Sequence, residues 1–240
     1  MIKKIINFLS EQHGDNTLPE RENQAFSYRE GEPAFNKFRA ARIWSNGELM
    51  QFSNLFMGTI CNVSGAGDAD KEGRYYRNYF INSSKYLITN LHKDEQTDFV
   101  LDLEVELHKD LVGICDCVFN HTVLEHVYEC RRGFANLCTI SRDVVIVVVP
   151  YIQQIHGGGY KDFWRFTPDT MQHMYDENGL KLRYCSANGA ERTSIYLFCI
   201  GYRDPKWDKQ IPERMDISLE PTQPLYGSDF MNVIGGNVIK

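Results

Sequence analysis

The chain has no long hydrophobic run. Its most apolar stretch, Val144 to Val149, is six residues, far below the ~20 that a bilayer-spanning helix needs. The opening MIKKIINFLSEQHGD offers neither a long apolar core nor a small-residue cleavage site, so no secretory leader is expected and the cytoplasm is. A basic excess is missing too. The 26 Lys plus Arg stand against 32 Asp plus Glu, a net charge of −6. That balance argues against nucleic acid as substrate or partner. Internal repeats and low-complexity tracts are absent, and no tight group of carboxylates and histidines is evident, so no metal is expected. The seven cysteines are odd in number and mostly apolar in setting. Cys115 and Cys117, spaced C-x-C in a strand-like run, are expected to face one side as core thiols, not as a zinc or redox pair. Free thiols in this number suit a reducing compartment.

What is present is ordinary globular composition in a 240-residue chain, enough for one large domain with extensions. Residues 1–55 read as a helical and looped cap, with Ile2, Ile5, Ile6 and Leu9 at helical spacing, Phe35, Phe38, Ala41 and Ile43 less cleanly so, and a loop from Gly14 to Asn23. Residues 56–203 alternate strand and helix signals. Strands are expected at Thr59–Val63, Lys85–Asn90, Asp98–Leu101, Cys115–Asn120 and Val144–Val149, the last ended by Pro150. Helices are expected over Glu72–Phe80, Leu124–Ile140 and Pro168–Asn178. Such alternation predicts a doubly wound, mostly parallel α/β sheet. Two closing strands, Leu180–Ser186 and Ser194–Tyr202, are joined too closely to be anything but antiparallel. Residues 204–240 read as an extension along the surface or at a homodimer contact.

Ligands of such sheets sit outside the carboxyl ends of the strands. The loop after the first strand, Ser64 to Asp70, carries Gly65 and Gly67, which allow close backbone approach, and the expected helix after it would offer free N–H groups to an anion. A dinucleotide fingerprint fails here, because its last glycine falls on Asp70. Asn90 ends the second strand where an acid would meet a ribose, and it brings a hydrogen bond without a charge. Asp102 follows the third strand, placed to accept from an amino group.

The run CDCVFNHTVLEHV, residues 115–127, and the later His156, Tyr160, Asp162 and FWRFTP, residues 163–168, resemble class I S-adenosylmethionine-dependent methyltransferases of the type 11 group, in the subset associated with bacterial surface-glycan synthesis. The resemblance covers about residues 58–202. It implies a Rossmann-like sheet of seven strands in the order 3-2-1-4-5-7-6 with strand 7 antiparallel, and S-adenosyl-L-methionine as cofactor. It also implies cofactor contacts from Gly65, Gly67, Asn90, Asp102, Leu103, Asn120 and His121. Ala69 and Asn90 depart from the pattern, standing where a glycine and an acid are usual.

The function this implies is O-methylation of a saccharide or an activated saccharide precursor. Another small polar acceptor, or a non-catalytic scaffold of this fold, are the alternatives. His121 is the first candidate base and His156 the second, since imidazole titrates near neutrality. His126 reads as structural. Tyr151, Tyr160, Asp162, Trp164 and Arg165 lie together after the fifth strand, where aromatic faces and a forked donor suit a sugar ring bearing an anionic group. Gly157, Gly158 and Gly159 would give that stretch the freedom of a lid.

Overall fold

A computed structural model describes residues 39–70, 72–153, 155–156, 160–188 and 194–216. The expectations for the first 38 residues, for the triple glycine at 157–159 and for the last 24 residues lie outside the described residues. The described chain forms one eight-stranded sheet. Its strands are β1 (Gly58–Asn62), β2 (Ser83–Asn90), β3 (Phe99–Val100), β4 (Cys115–His121), β5 (Ser141–Gln153), β6 (Lys181–Ala187), β7 (Ser194–Tyr202) and β8 (Arg214–Met215). Their spatial order is β3-β2-β1-β4-β5-β7-β6-β8. All neighbours are parallel except β7, which runs antiparallel to both β5 and β6. The expected order is therefore present, with one strand more. The eighth comes from the stretch read as a surface extension: Arg214 and Met215 pair with Tyr184 and Cys185.

Among the described residues three α-helices cover the sheet: α1 (Arg39–Phe52), α2 (Cys130–Ile140) and α3 (Pro168–Glu177). Phe134 and Leu137 of α2 and Met171, Met174 and Tyr175 of α3 pack with Cys61, Val118, Val145 and Val147 on one face. Ala41, Leu49 and Phe52 of α1 pack with Ile60, Phe119, Ile146 and Phe198 on the other. Alternate side chains along β5 thus enter both cores, as expected of a β-branched strand covered on each side. Among the described residues, no helix is long and apolar enough to cross a membrane.

Several local expectations fail for identifiable reasons. Pro150 does not end β5, which continues to Gln153. By then β4 has stopped, its last partner being Val148, so the N–H that proline lacks has no strand to bond. Cys115 and Cys117 do not share a face. One extra residue of β5 is accommodated between them, so Cys115 enters the α2–α3 core and Cys117 the α1 core. All seven cysteines are buried and free.

No α-helix forms over Glu72–Phe80, where only a short 3-10 turn (Tyr76–Asn78) occurs. Gly73 has φ +97°, outside helical geometry. The Asp70 carboxylate accepts from the Glu72 and Arg74 amides at 2.7 and 2.9 Å, a local alternative to the helical ladder. The helix expected from Leu124 is likewise split. A 3-10 turn (Leu124–His126) precedes α2.

α1 carries polar groups on its buried side. Glu48 is 6% exposed and its Oε2 accepts from the Tyr184 and Ser186 hydroxyls of β6 at 2.6 and 2.7 Å. Replacing Glu48 by Ala leaves both hydroxyls without that acceptor inside the core. The expected loss is about 2–4 kcal/mol, read as a lower midpoint in urea unfolding; an unchanged midpoint would show that α1 is not tied to β6 in this way.

Candidate functional site

The switch in strand order falls between β1, which continues to β2 and β3, and β4, which continues to β5. A crevice at the carboxyl ends of these strands is where such sheets bind ligands. The backbone is strained at this edge. Ser64 and Asp68 after β1, and Thr122 after β4, are non-glycine residues with φ of 57°, 51° and 51°. Positive φ in such residues persists only where surrounding structure enforces it, and it gathers at functional sites.

Gly65 packs so closely on β1 that a Cβ there would stand 2.3 Å from the Asn62 amide nitrogen. Gly67 is exposed at the tip. The carboxylates of Asp68 and Asp70 organise the rest of this loop. Asp68 is fully buried and accepts from Asn62 Nδ2, the Arg77 amide and guanidinium, and the Tyr86 hydroxyl. The amides expected to be open to an anion at a helix start are therefore bonded internally where Glu72, Arg74 and Arg77 supply them. The Ser64 and Gly65 amides are spent as well, on the Thr89 hydroxyl and carbonyl, which leaves the Ala66–Gly67 end of the turn to meet a ligand. Ala69, in the place of a usual glycine, makes an isolated bridge with Tyr75.

Asn120, near the end of β4, is fully buried. Its Nδ2 donates to the Val63 carbonyl at 2.9 Å, and its Oδ1 has no donor among the described residues. Asn90 stands at the end of β2 as expected, but its amide donates to Asp94 at 3.2 Å and its oxygen accepts from the Leu91 amide. Asp102 accepts from the Glu104 amide at 2.8 Å. The Leu103 side chain is in the core, so its backbone is the part of it that can meet a ligand.

His121 closes β4. The Ser45 hydroxyl donates to the Arg42 carbonyl, so His121 Nε2 donates to Ser45 Oγ, 2.8 Å away. The ring lone pair is then on Nδ1, where Arg42 donates at 3.2 Å; the same guanidinium donates to Thr122 Oγ1 at 2.7 Å. Arg42 and Ser45 were not singled out from sequence. Their signal is faint: two polar residues on the helix side that carries Ala41 and Leu49.

The residues after β5 fold back onto the Leu124–His126 turn. The Phe163 and Trp164 amides donate to the Glu125 carbonyl at 2.8 and 3.3 Å. The Trp164 indole donates to the carbonyls of Val127 and Tyr128, and the Phe166 amide donates to Pro150. The two most distinctive sequence pieces are thus one structural unit.

Within it, Arg165 grips Asp162 with two guanidinium nitrogens at 2.6 and 2.7 Å. Burial works to raise the Asp162 pKa, but Arg165 and the His156 amide outweigh it and hold the carboxyl below its ordinary value. His156 Nδ1 lies 3.1 Å from Asp162, and burial holds its imidazole below the ordinary value against that attraction. Tyr160 is exposed, and Tyr151 is half-buried beside the core. Asp162 and Arg165 thus serve each other and His156. Tyr160 is open, and Phe163 and Trp164 are partly so, with the exposed Tyr128 against them.

Glu125 was also not singled out. It is fully buried, its carboxyl raised by burial to about 8. It meets His126 and His156 in a group that sequence spacing did not reveal. His156 is 31 positions away in the chain and is brought in only by the fold-back.

The chain matches no protein-family model and no curated protein. Its fold is similar to that of several solved structures. A chain of the Haloferax volcanii complex of a methyltransferase with the Trm112 methyltransferase activator superposes with a TM-score of 0.50 at 8% identity, over 70% of this chain and 92% of that one. The YcgJ protein of Bacillus subtilis gives 0.50 at 8% identity, over 67% and 98%. The [4+2]-cyclase SpnF gives 0.50 at 9%, over 73% and 85%. The described chain has the Rossmann-like fold of class I methyltransferases.

Proposed function

We propose that the chain is an S-adenosylmethionine-dependent O-methyltransferase whose acceptor is a saccharide or an activated saccharide precursor of a bacterial surface glycan. The fold alone does not decide this, since a cyclase shares it. The observation that carries the cofactor assignment is the buried Asn120 Oδ1 without a donor, beside a glycine turn with enforced positive φ at the switch point. An amino group of a bound ligand would satisfy that acceptor. The residues present fit the cofactor on this count. Gly65 and Gly67 would admit its methionyl part, Asn90 the ribose, Asp102 and the Leu103 backbone the adenine edge, and Asn120 the amino group.

Bound there, S-adenosylmethionine supplies a methyl group on a sulfonium, already activated for transfer. The chain's own work is to orient the acceptor, exclude water and take a proton. His121 would act as base from Nδ1 once Arg42 turns from it to the acceptor. His156, held by Asp162, is the second candidate. The glycan acceptor rests on the resemblance of the LEHV and FWRFTP pieces, and on the exposed rings of Tyr160 and Trp164.

A second reading has its own observation. Asn90 is occupied by Asp94, and the amides after the glycine turn are occupied by Asp68 and Asp70. A scaffold of this fold that has lost the cofactor would look the same.

Calorimetric titration separates the two. Micromolar binding of S-adenosylmethionine and S-adenosylhomocysteine, with none of NAD, is expected; silence with both adenosyl ligands would leave the scaffold. Replacing Asp102 by Ala should weaken S-adenosylhomocysteine by about tenfold, the loss of one hydrogen bond to a charged group. Equal affinity would remove the adenine-edge assignment. With sugar nucleotides and glycan fragments as acceptors, His121→Ala should slow S-adenosylhomocysteine formation about 10²–10⁴-fold at near-unchanged cofactor affinity. Full turnover would rule it out as the base.

A further inference from the structure

Glu125 has a surrounding that the described residues do not complete. It is fully buried, yet neither carboxylate oxygen has a hydrogen-bond partner among the described residues. A buried carboxylate in that condition is unfavourable unless a cation or a proton compensates it. His126 Nε2 lies 3.7 Å from Oε1, beyond hydrogen-bonding range. The His126 and His156 rings meet edge to face at 4.9 Å. One ligand-capable atom from each of Glu125, His126 and His156 can be chosen so that all lie within 4.8 Å of one another.

The two imidazoles are oriented from outside. His126 Nδ1 is 2.7 Å from the Lys161 carbonyl, and His156 Nδ1 is 3.1 Å from the Asp162 carboxylate. A carbonyl only accepts, so in the neutral His126 ring Nδ1 carries the proton and the lone pair is on Nε2; the negative charge of Asp162 beside His156 Nδ1 favours the same tautomer there. Asp162 is itself fixed by Arg165. An outer carbonyl or carboxylate on the distal ring nitrogen is the arrangement that supports metal-bound histidines.

We propose that Glu125, His126 and His156 form a three-ligand site for a first-row divalent cation such as Zn²⁺ or Mn²⁺. Two imidazole nitrogens and one carboxylate oxygen suit such an ion better than Mg²⁺ or Ca²⁺, which prefer oxygen throughout. Three protein ligands leave room for an oxygen of another molecule. Only the identity of that oxygen, an acceptor hydroxyl, rests on the methyltransferase reading. His156 then serves as a ligand and leaves proton transfer to His121.

The test uses the whole chain, stripped with a chelator and titrated with Zn²⁺, Mn²⁺, Co²⁺ and Mg²⁺. Bound metal is counted by mass spectrometry after gel filtration, and Co²⁺ is followed by its visible spectrum. One equivalent of Zn²⁺ or Co²⁺ per chain is expected, with cobalt bands that report nitrogen ligation. Glu125→Gln, His126→Gln and His156→Gln should each weaken binding about tenfold or more. His173→Ala, which removes the exposed His173–Glu177 pair, should leave binding unchanged. Melting curves identify the variants that are folded. No stoichiometric binding to the wild-type chain, or binding that persists in the folded site variants, overturns the proposal. S-adenosylhomocysteine titrated into the stripped protein keeps the two ideas apart. Its binding without any metal site sinks the cation and spares the methyltransferase, and metal binding without it does the reverse.

Discussion

The length of β5 is the constraint from which the rest of the site follows. As far as Val148 it lies between β4 and β7, parallel to one and antiparallel to the other. Beyond Val148 it runs on alone along its β4 side for five residues, to Gln153. That overhang presents the Pro150 carbonyl where a β4 residue would otherwise bond, and the Phe166 amide takes it. The returning segment is thereby laid across the turn after β4, and Glu125, His126 and His156 meet. Without the overhang, the residues on either side of the crevice would belong to separate loops.

The same dependence explains why two short sequence pieces carry so much of the resemblance. Residues 124–128 and 160–166 are joined by main-chain bonds to the Glu125 carbonyl, by the Trp164 indole to the Val127 and Tyr128 carbonyls, and by the contact of Tyr128 with Phe163 and Trp164. A change in one piece alters the shape the other must fit. Much of what resembled a substrate-binding loop is therefore its fastening. Trp164 and Arg165 spend their donors on the chain, and the surface that stays open is smaller than the sequence implied.

The fold was legible because its signals are periodic and redundant. The valine run of β5, the close spacing of β6 and β7, and the alternation before them each constrain the topology independently. What was not legible depends on single residues acting at a distance or against a local trend. Gly73 and the Asp70 side chain cancel a helix that composition allowed. The one-residue slip beside Asp116 sends Cys115 and Cys117 to opposite cores, although their spacing alone put them together. Pro150 is a strand breaker only when its missing N–H would have had a partner. The ends of β1, β2 and β4 were placed from sequence at Val63, Asn90 and Asn120, each within one residue of where they fall. Arg42, Ser45 and Glu125 were invisible because their roles are set by what folds over them.

The seven thiols have a consequence beyond packing. They are all reduced and buried, and they lie on both sides of the sheet: Cys117 toward α1, the others toward α2 and α3. Cys130, at the start of α2, keeps 9% exposure; the other six are closed to a modifying reagent while both layers stay in place, and each becomes reactive when its own layer lifts. The chain therefore carries its own set of clocks for local opening. The alkylation rate at Cys117 times the departure of α1, and the rate at Cys138 times the departure of α2. The order in which the thiols become reactive would be the order in which the fold comes apart.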